Sequence, residues 1–574
     1  MHRTHTCGEL RAADDGSTVT LAGWTHAIRL HGRIAFLDIR DRYGITQAVI
    51  GEEFAELTKD LRREAVVKVT GAVKRKPQPN LRLPTGEVEV QATKFEVLNP
   101  SAPLPIEPES QNADDVRLRY RYLDLRRPAM QHRLAHRDAI AASMRAHMRE
   151  MGFLEIETPL LVKSTPEGAR DYVVPSRLNH GRFYALPQSP QLYKQLLMVS
   201  GCDRYFQIAR CLRDEDLRMD RQPEFTQLDV EMSFVEQEDV WEVGERLIHD
   251  VVKDVKGVEI PLPLPRITYE ESMERYGCDK PDLRFGLELC DVTYVVKQSD
   301  FKIFAEAQAV KCIVAPRQLS RKEIDRYTEF MKANKAKGLA FANALGDGKT
   351  LDGGVAKFLD AETHAALLKA TGAKPEQTLL FVADRTKYCN DALAKLRNQL
   401  GKDLGLYEPD RLAFVWVTDF PLFEWDDEME DWTPAHHMFT MPRPEHLQYL
   451  RTDPGKVLAQ CYDLVLNGSE LASGSIRVHR PDIQREIMRA MNITEEQAKM
   501  RFGFLLEAFT YGAPPHGGFA IGFDRFCAML DGETDIREYI AFPKNKNAEC
   551  PMDGSPSPID QKQLDELGIG LKKL

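Results

Sequence analysis

The chain has 574 residues, 29% charged and 43% hydrophobic, with a formal net charge of −11, which predicts about three or four globular domains and argues against a general nucleic-acid binder, so an RNA partner would have to be met by local basic patches. No apolar run is long enough for a transmembrane helix, and the opening residues MHRTHTCGEL lack the apolar core of a signal peptide. Ten cysteines are scattered without a CxxC pair, which argues against a zinc knuckle or disulfide framework and fits a reducing cytoplasm.

Residues 1–100 read as five short strands, over 19–24, 34–40, 45–50, 65–73 and 87–97, with a helix over 52–62. Gly32, Gly44, Gly71, Pro77, Pro79 and Gly86 supply the turns. Five strands and one helix in about a hundred residues predict a small Greek-key barrel of the OB type, which holds single-stranded nucleic acid by stacking bases on aromatics in a basic groove. Phe36 can stack a base, Arg29 can hold a phosphate or a base edge, and Gln47 can read a base edge. A Phe36 buried in the barrel core fits equally well. Residues 100–108 carry four prolines and read as a stiff linker. The stretch 116–128, VRLRYRYLDLRRP, is dense in arginine and tyrosine. It is compatible with a hinge touching both domains and the RNA, and equally with a plain solvated basic helix.

A helix over 130–151 puts Ile140, Met144 and Met148 in one apolar stripe, and Gly152 ends it. Residues 153–159 read as a strand closed by Pro159. The polar segment 164–172 has the composition of a lid. Residues 185–195 form a turn entering a helix, with Ser189 as N-cap and Pro190 at the first helical position. Gln191 and Lys194 then share a helical face. Residues 205–234 read as an antiparallel hairpin. In its second arm Leu228, Val230, Met232 and Phe234 alternate with Gln227, Asp229, Glu231 and Ser233, the period of a strand. Arg213 joins the polar side, and the loop 214–223 adds Glu215, Arg218, Arg221 and Gln222. A solvated hairpin tip is the ordinary fate of such a loop, but here carboxylates and arginines also sit on the strand faces beside it.

Residues 286–412 differ in character. Ser320 and Glu323 form a capping box, 338–342 and 378–383 read as strands, and no polar residues converge. His436 and His437 are adjacent; neighbours on one strand point to opposite faces, so the pair predicts no metal site. Asp463 and Glu470 lie on neighbouring strands and suit Mg²⁺ bridging phosphates. Residues 517–526 read as strand, turn and helix. Their glycines let backbone approach a ligand, and Arg525 at the helix start suits a γ-phosphate or a stacked adenine. The polar tail 546–574 reads as surface.

Leu212-Arg213-Asp214-Glu215, the charged loop and the polar-faced strand resemble the second signature of class II aminoacyl-tRNA synthetases, with leucine where phenylalanine is usual. The string RDEDLRMDRQPEFTQLD over 213–229 is similar to the bacterial aspartyl-tRNA synthetases of subclass IIb in particular. The helix and strand over 130–159 match the first signature and 517–526 the third, so the resemblance spans essentially the whole chain. It implies a multidomain α+β protein: an OB-fold anticodon-binding barrel (1–105), a hinge (106–130), an antiparallel-sheet catalytic domain in two parts (131–285 and 413–545), an inserted α/β domain of the bacterial branch (286–412) and a C-terminal extension (546–574).

The resemblance also implies a cytoplasmic homodimer that activates L-aspartate with ATP and Mg²⁺ and passes it to the 3′-OH of tRNA(Asp). Aspartate would meet Glu167, Ser189, Gln191, Lys194, Arg213, Asp229, His436 and Arg477. ATP would meet Arg213, Asp214, Glu215, Gln222, Glu470, Gly522, Phe523, Asp524 and Arg525, with Mg²⁺ on Asp463 and Glu470. The anticodon would be read by Arg29, His31, Phe36, Gln47 and Glu89, with Lys74, Arg75, Lys76 and Arg82 on phosphates. Such a ligase needs positioning and positive charge where the phosphorane develops. Asparagine would be rejected because Lys194 and Arg477 would stay buried and unpaired. Met438 stands where the family has proline, and Ala472 and Ser473 replace two glycines, an expected narrowing of the pocket floor. An amidating aspartate–ammonia ligase is disfavoured by the barrel, and a non-enzymatic RNA-binding relative by the intact Arg213, Glu215, Glu470 and Arg525. His31, where many strict members carry leucine, raises tRNA(Asn) as a second substrate; the barrel otherwise resembles the strict members.

Overall fold

A computed structural model describes residues 2–106, 112–165 and 169–572. Glu167 and parts of the expected linker and lid lie outside the described residues. The chain forms two compact units, one of Met1–Leu134, Ala541–Asn545 and Glu549–Pro556, the other of Ala135–Ile540, Lys546–Ala548 and Ser557–Leu574. Among the described residues no helix is long and apolar enough to cross a membrane.

In the first unit the strands Thr18–His31, Ile34–Arg40, Ile45–Ile50, Val88–Asn99 and Val66–Arg75 close in that order into a barrel. The first strand runs well past the 19–24 expected. A register shift between Thr25 and Ala27 bends it, so one strand pairs with Ile34–Arg40 along its far half and Val66–Arg75 along its near half. Gly23 lies just before the shift, where a Cβ would lie 2.4 Å from the Arg40 carbonyl oxygen. The expected helix over 52–62 is only a turn at Glu52–Phe54 followed by Ala55–Thr58. Strand alternation sends Ala35, Leu37 and Ile39 into the core and leaves Phe36 and Asp38 on the outer face. The core reading of Phe36 is therefore overturned.

The arginine-dense stretch is not a solvated basic helix. It forms the short helices Asp114–Arg119 and Arg121–Asp124 around the fully buried carboxylate of Asp124. Arg117, Arg121 and Arg127 reach that carboxylate at 3.1, 2.7 and 3.0 Å. Arg126 lies over the Trp24 ring and pairs with Glu64, which also holds Arg40. Burial alone would raise the Asp124 pKa, but Arg117 and Arg127 outweigh it and hold it below the ordinary aspartate value. A depressed carboxylate pKa stabilises the fold above its unfolded value, about 3.9, and that contribution is lost as the pH falls through the folded value. Asp124→Asn should cost the first unit about 3–5 kcal/mol at neutral pH, because three guanidiniums lose their counter-ion. Denaturant unfolding measures it, and the gap from wild type should narrow in acid.

In the second unit an eight-stranded sheet runs Arg266–Thr268, Phe414–Thr418, Cys461–Leu466, Ser469–Ile476, His516–Gly522, Glu224–Ser233, Arg204–Leu212, Leu154–Glu155. All neighbours are antiparallel except the outermost pair at each end. Leu228, Val230 and Met232 join Ile140, Met144 and Met148 of helix Pro128–Glu150 and the apolar face of helix Gln237–Lys256 in one core. The opposite face of the sheet carries Gln227, Asp229 and Glu231. Phe234 does not continue the apolar alternation; it takes a positive φ of 59° and is 76% exposed, ending the strand.

Residues 290–384 contribute a separate five-stranded sheet in the order Cys290–Asp291, Ala309–Ala315, Thr378–Asp384, Ala340–Ala344, Leu351–Asp352. Its faces carry two clusters. Ile313, Leu380 and Val382 pack with Arg321–Ala333 and Thr386–Asp403, and Cys312, Leu379 and Phe381 with Ala361–Thr371. The Ser320–Glu323 capping box is present. The tail is more than surface. Its helix Gln561–Leu567 buries Leu564 and Leu567, and Glu566 pairs with Arg177.

Candidate active site

A cavity of about 610 Å³ opens on the polar face of the eight-stranded sheet. Its inner end is a buried ion cluster assembled from three segments. Lys194, 1% exposed on helix Gln191–Val199, places Nζ 3.1 Å from Asp229 Oδ1 and 3.2 Å from Glu231 Oε2. Arg477, 5% exposed just past strand Ser469–Ile476, donates to Glu231 at 3.0 and 3.3 Å and to Ser475 Oγ at 2.7 Å. Glu231 reaches both cations because Gly518 faces it across the strand pair; a Cβ there would lie 2.5 Å from Glu231 Oε2. The two cations are thus not left unpaired, as the sequence suggested. Glu231, which sequence reasoning passed over as one more polar-face residue, is their shared counter-ion.

The two carboxylates behave differently. Burial pushes the Asp229 pKa up and the Lys194 ammonium only partly offsets it. Burial also opposes Glu231, but Arg477 and Lys194 prevail and hold it low. Among the described residues Asp229 Oδ2 and the Gln191 side-chain nitrogen are buried with no hydrogen-bond partner, and both residues line the cavity. They leave an acceptor and a donor unused beside the cation pair. Ser189 also lines it. Helix Gln191–Val199 starts one residue later than predicted, and Ser189 Oγ accepts the Gln191 N–H at 3.3 Å without being the formal cap.

Toward the mouth stand Arg213 and Arg525. Among the described residues Arg213 has no carboxylate partner; its guanidinium meets the Gln188 carbonyl at 3.4 Å and the Phe225 ring at 5.1 Å. Arg525 donates to the Glu470 carbonyl and approaches Asp220 at 3.5 Å. Glu215 pairs with Arg221 at 3.3 Å, and Gln222 lines the wall. Asp214 pairs with Arg170 at 3.6 Å and does not line the cavity. Gly522 and Asp524 line it, but the Asp524 carboxylate is taken by Arg137 and by the Thr226 N–H at 2.7 Å. Phe523 is turned into the core beneath the sheet, so its side chain is not at the nucleotide position expected for it. The reason is periodic: on helix Phe523–Leu530, residues 523, 526, 527 and 530 share the buried face.

His436 and His437 do not alternate on a strand. They follow the end of strand Asp431–Pro434 in a bend, and both line the cavity. His436 Nε2 lies 3.5 Å from Asp463 Oδ2, and with the Cys461 thiol these donors gather within 4.8 Å. The neighbouring strand Cys461–Leu466 thus brings two donors to His436, which the adjacent-histidine pattern did not predict. Burial disfavours the imidazolium, but Cys461 and Asp463 more than offset it and raise the His436 pKa well above the usual value. Ala472 points into the core, so of the two glycine replacements only Ser473 reaches the cavity. Met438 packs in an apolar cluster, with its carbonyl held by Gln484 at 2.9 Å, which fixes this loop without proline.

On the barrel, Arg29, Asp38, Gln47 and Glu89 form one chain of bonds. Arg29 grips Asp38 at 2.8 and 2.9 Å, and Gln47 Nε2 donates to Glu89 at 3.0 Å. Lys76 reaches Gln47 Oε1 at 3.2 Å. Phe36 lies beside this network with the exposed His31 edge-on at 5.7 Å. Asp38 was missed in the sequence because a lone aspartate in a strand carries no signal; its role follows from the diagonal to Arg29. Lys74, Arg75 and Arg82 are exposed nearby in the sequence.

Residues 113–546 match the family of class II tRNA synthetases (D, K and N). The chain belongs to that family. Residues 19–98 of the synthetase match the OB-fold nucleic acid binding domain. The synthetase is 50% identical to the aspartate–tRNA(Asp/Asn) ligase of Geotalea uraniireducens, over 99% of this chain and 98% of that one. It is 50% identical to the aspartate–tRNA ligase of Geobacillus kaustophilus, over 100% and 99%. Its fold is similar to that of asparaginyl-tRNA synthetase from Pyrococcus horikoshii complexed with asparaginyl-adenylate, with a TM-score of 0.60 at 21% identity over 95% of this chain and 98% of that one.

Proposed function

We propose that this synthetase activates L-aspartate with ATP and transfers it to the 3′ end of tRNA(Asp). The observation that carries this reading is the buried Lys194–Arg477 pair in a cavity whose mouth carries the arginines 213 and 525. An aspartate side-chain carboxylate accepts hydrogen bonds from both inner cations. The asparagine amide would turn its own donors toward donors, and a lysine substrate would bring a third cation. Asp229 Oδ2 and Ser189 would take the α-ammonium. Arg213 then reaches the α-carboxylate as it attacks the α-phosphate, and Arg525 holds the departing pyrophosphate. No proton transfer to a protein base is needed in that step. His436 lies on the substrate side, 3.5 Å from Asp463.

Asp463 and Glu470 fit a divalent cation by donor chemistry. Both are hard oxygen donors, and among the described residues Asp463 Oδ1 is buried without a partner. Bound Mg²⁺ would neutralise phosphate charge. The ten cysteines carry no disulfide, which supports a cytoplasmic setting. The exposed Leu154, Leu160 and Leu161 beside the first signature support a homodimer formed there, and the outer barrel face of Arg29, Phe36, Gln47 and Glu89 supports anticodon reading.

A second reading extends charging to tRNA(Asn), and the contact of His31 with the Phe36 platform favours it. Aspartate charging of tRNA(Asp) and tRNA(Asn) transcripts by the purified protein tests both. The expected result is charging of tRNA(Asp), and His31→Leu should lower tRNA(Asn) charging relative to tRNA(Asp). Failure to charge either transcript would remove the proposal.

A further inference from the structure

Lys280 lines the cavity and has no part in the reaction above. It follows helix Tyr269–Arg275 on the stretch leading to the inserted sheet. Its Nζ lies 3.1 Å from Glu470 Oε2 and 3.4 Å from Asp279 Oδ2, and Asp463 acts on it through space. A lysine ammonium thus stands against the carboxylates whose oxygens suit a hard divalent cation.

The stretch that carries it is braced. Asp282, 5% exposed, binds the Arg284 guanidinium at 2.7 Å, and its Cβ would lie 3.2 Å from a Cβ added at Gly468, in the turn joining the two cavity strands. Arg397, 1% exposed on the inserted helix Thr386–Asp403, donates from one nitrogen to the carbonyls of Asp282, Phe285 and Gly286, each at 2.8 Å. Its guanidinium also lies over the Phe285 ring at 4.3 Å. A buried arginine of the inserted region therefore fixes the backbone two residues beyond Lys280.

We propose that Lys280 is a positioning residue, an internal counter-cation that holds Glu470 and screens Asp463 while the nucleotide site is empty and yields to the divalent ion arriving with the nucleotide. Arg397 sets its place, so the inserted region governs how readily these carboxylates take a metal. This rests on the reading of Glu470 as a ligand on the nucleotide side.

The test is Mn²⁺ binding to the full chain without nucleotide, followed by electron paramagnetic resonance. Lys280→Met should tighten the Kd about tenfold, and Lys280→Arg should leave it near wild type, because only the first removes the competing charge. An unchanged or weaker Kd in Lys280→Met overturns the proposal. So does tight binding that survives Glu470→Gln in the Lys280→Met background. Arg397→Met, which offers none of the three carbonyls a hydrogen bond, should shift the Kd in the direction of Lys280→Met. Phe285→Leu loosens the same stretch and serves where Arg397→Met does not fold. A wild-type Kd in the folded variant overturns the role of the insert. Aspartate-dependent pyrophosphate exchange by the wild-type protein reports separately on the proposed activity, so the two failures are distinguishable.

Discussion

Arg477→Met should abolish aspartate-dependent ATP–pyrophosphate exchange and destabilise the protein by about 3–5 kcal/mol, the range for breaking a buried ion pair from one side. Both effects have one source. Arg477 meets Glu231 through two nitrogens and Ser475 through a third, so methionine leaves the 0% exposed Glu231 with Lys194 alone. Lys194 is already shared with Asp229 and the Val230 carbonyl. The cluster would pass from two cations and two carboxylates to one and two, inside a cavity that must then admit another carboxylate. The stability effect carries a sign in pH. Glu231 is held below the ordinary glutamate value, with burial opposing and Arg477 the largest favourable cause. Its contribution is therefore present above about 4.3 and lost as the pH falls further. Denaturant unfolding should show a wide gap between wild type and variant at neutral pH and a narrower one in acid. Equal stabilities at neutral pH would show that the pair contributes nothing to the fold.

Arg213→Ala should behave in the opposite way on stability. Among the described residues this guanidinium has no carboxylate partner, only a carbonyl and the face of Phe225. Its loss should cost the fold at most about 1 kcal/mol. Activation of aspartate should nonetheless fall at least about 10²–10³-fold, the usual loss when a preorganised donor to developing charge is removed. Pyrophosphate exchange with saturating ATP and aspartate measures it, with the decrease expected in kcat. A catalytically dead relative would show no exchange to lose, and an exchange rate within a few-fold of wild type would remove Arg213 from the transition state.

Local patterns were legible where a side chain's face follows from its own neighbours in the chain. The alternation of Leu228, Val230 and Met232 with Asp229 and Glu231, the stripe of Ile140, Met144 and Met148, and the Ser320–Glu323 cap each read true because period and capping are properties of a few consecutive residues. The same logic failed where the element was assumed rather than formed. His436 and His437 sit in a bend, Phe234 lies past a strand end, and the helix beginning at Phe523 turns that ring into the core.

Charge pairing belongs to another level. Which cation meets Glu231 depends on strand order and register, with Gly518 opposite it and Arg477 arriving from the strand beyond. Asp124 gathers three arginines, and Lys280 reaches Glu470 across 190 positions of chain. The sequence by itself determined the two kinds of sheet, their buried faces and the residue types available for the chemistry. Only the tertiary structure decided which charges neutralise one another and which, like Arg213 among the described residues, have no carboxylate partner, because Coulomb interactions depend on distance in space and burial, and neither is a function of separation along the chain.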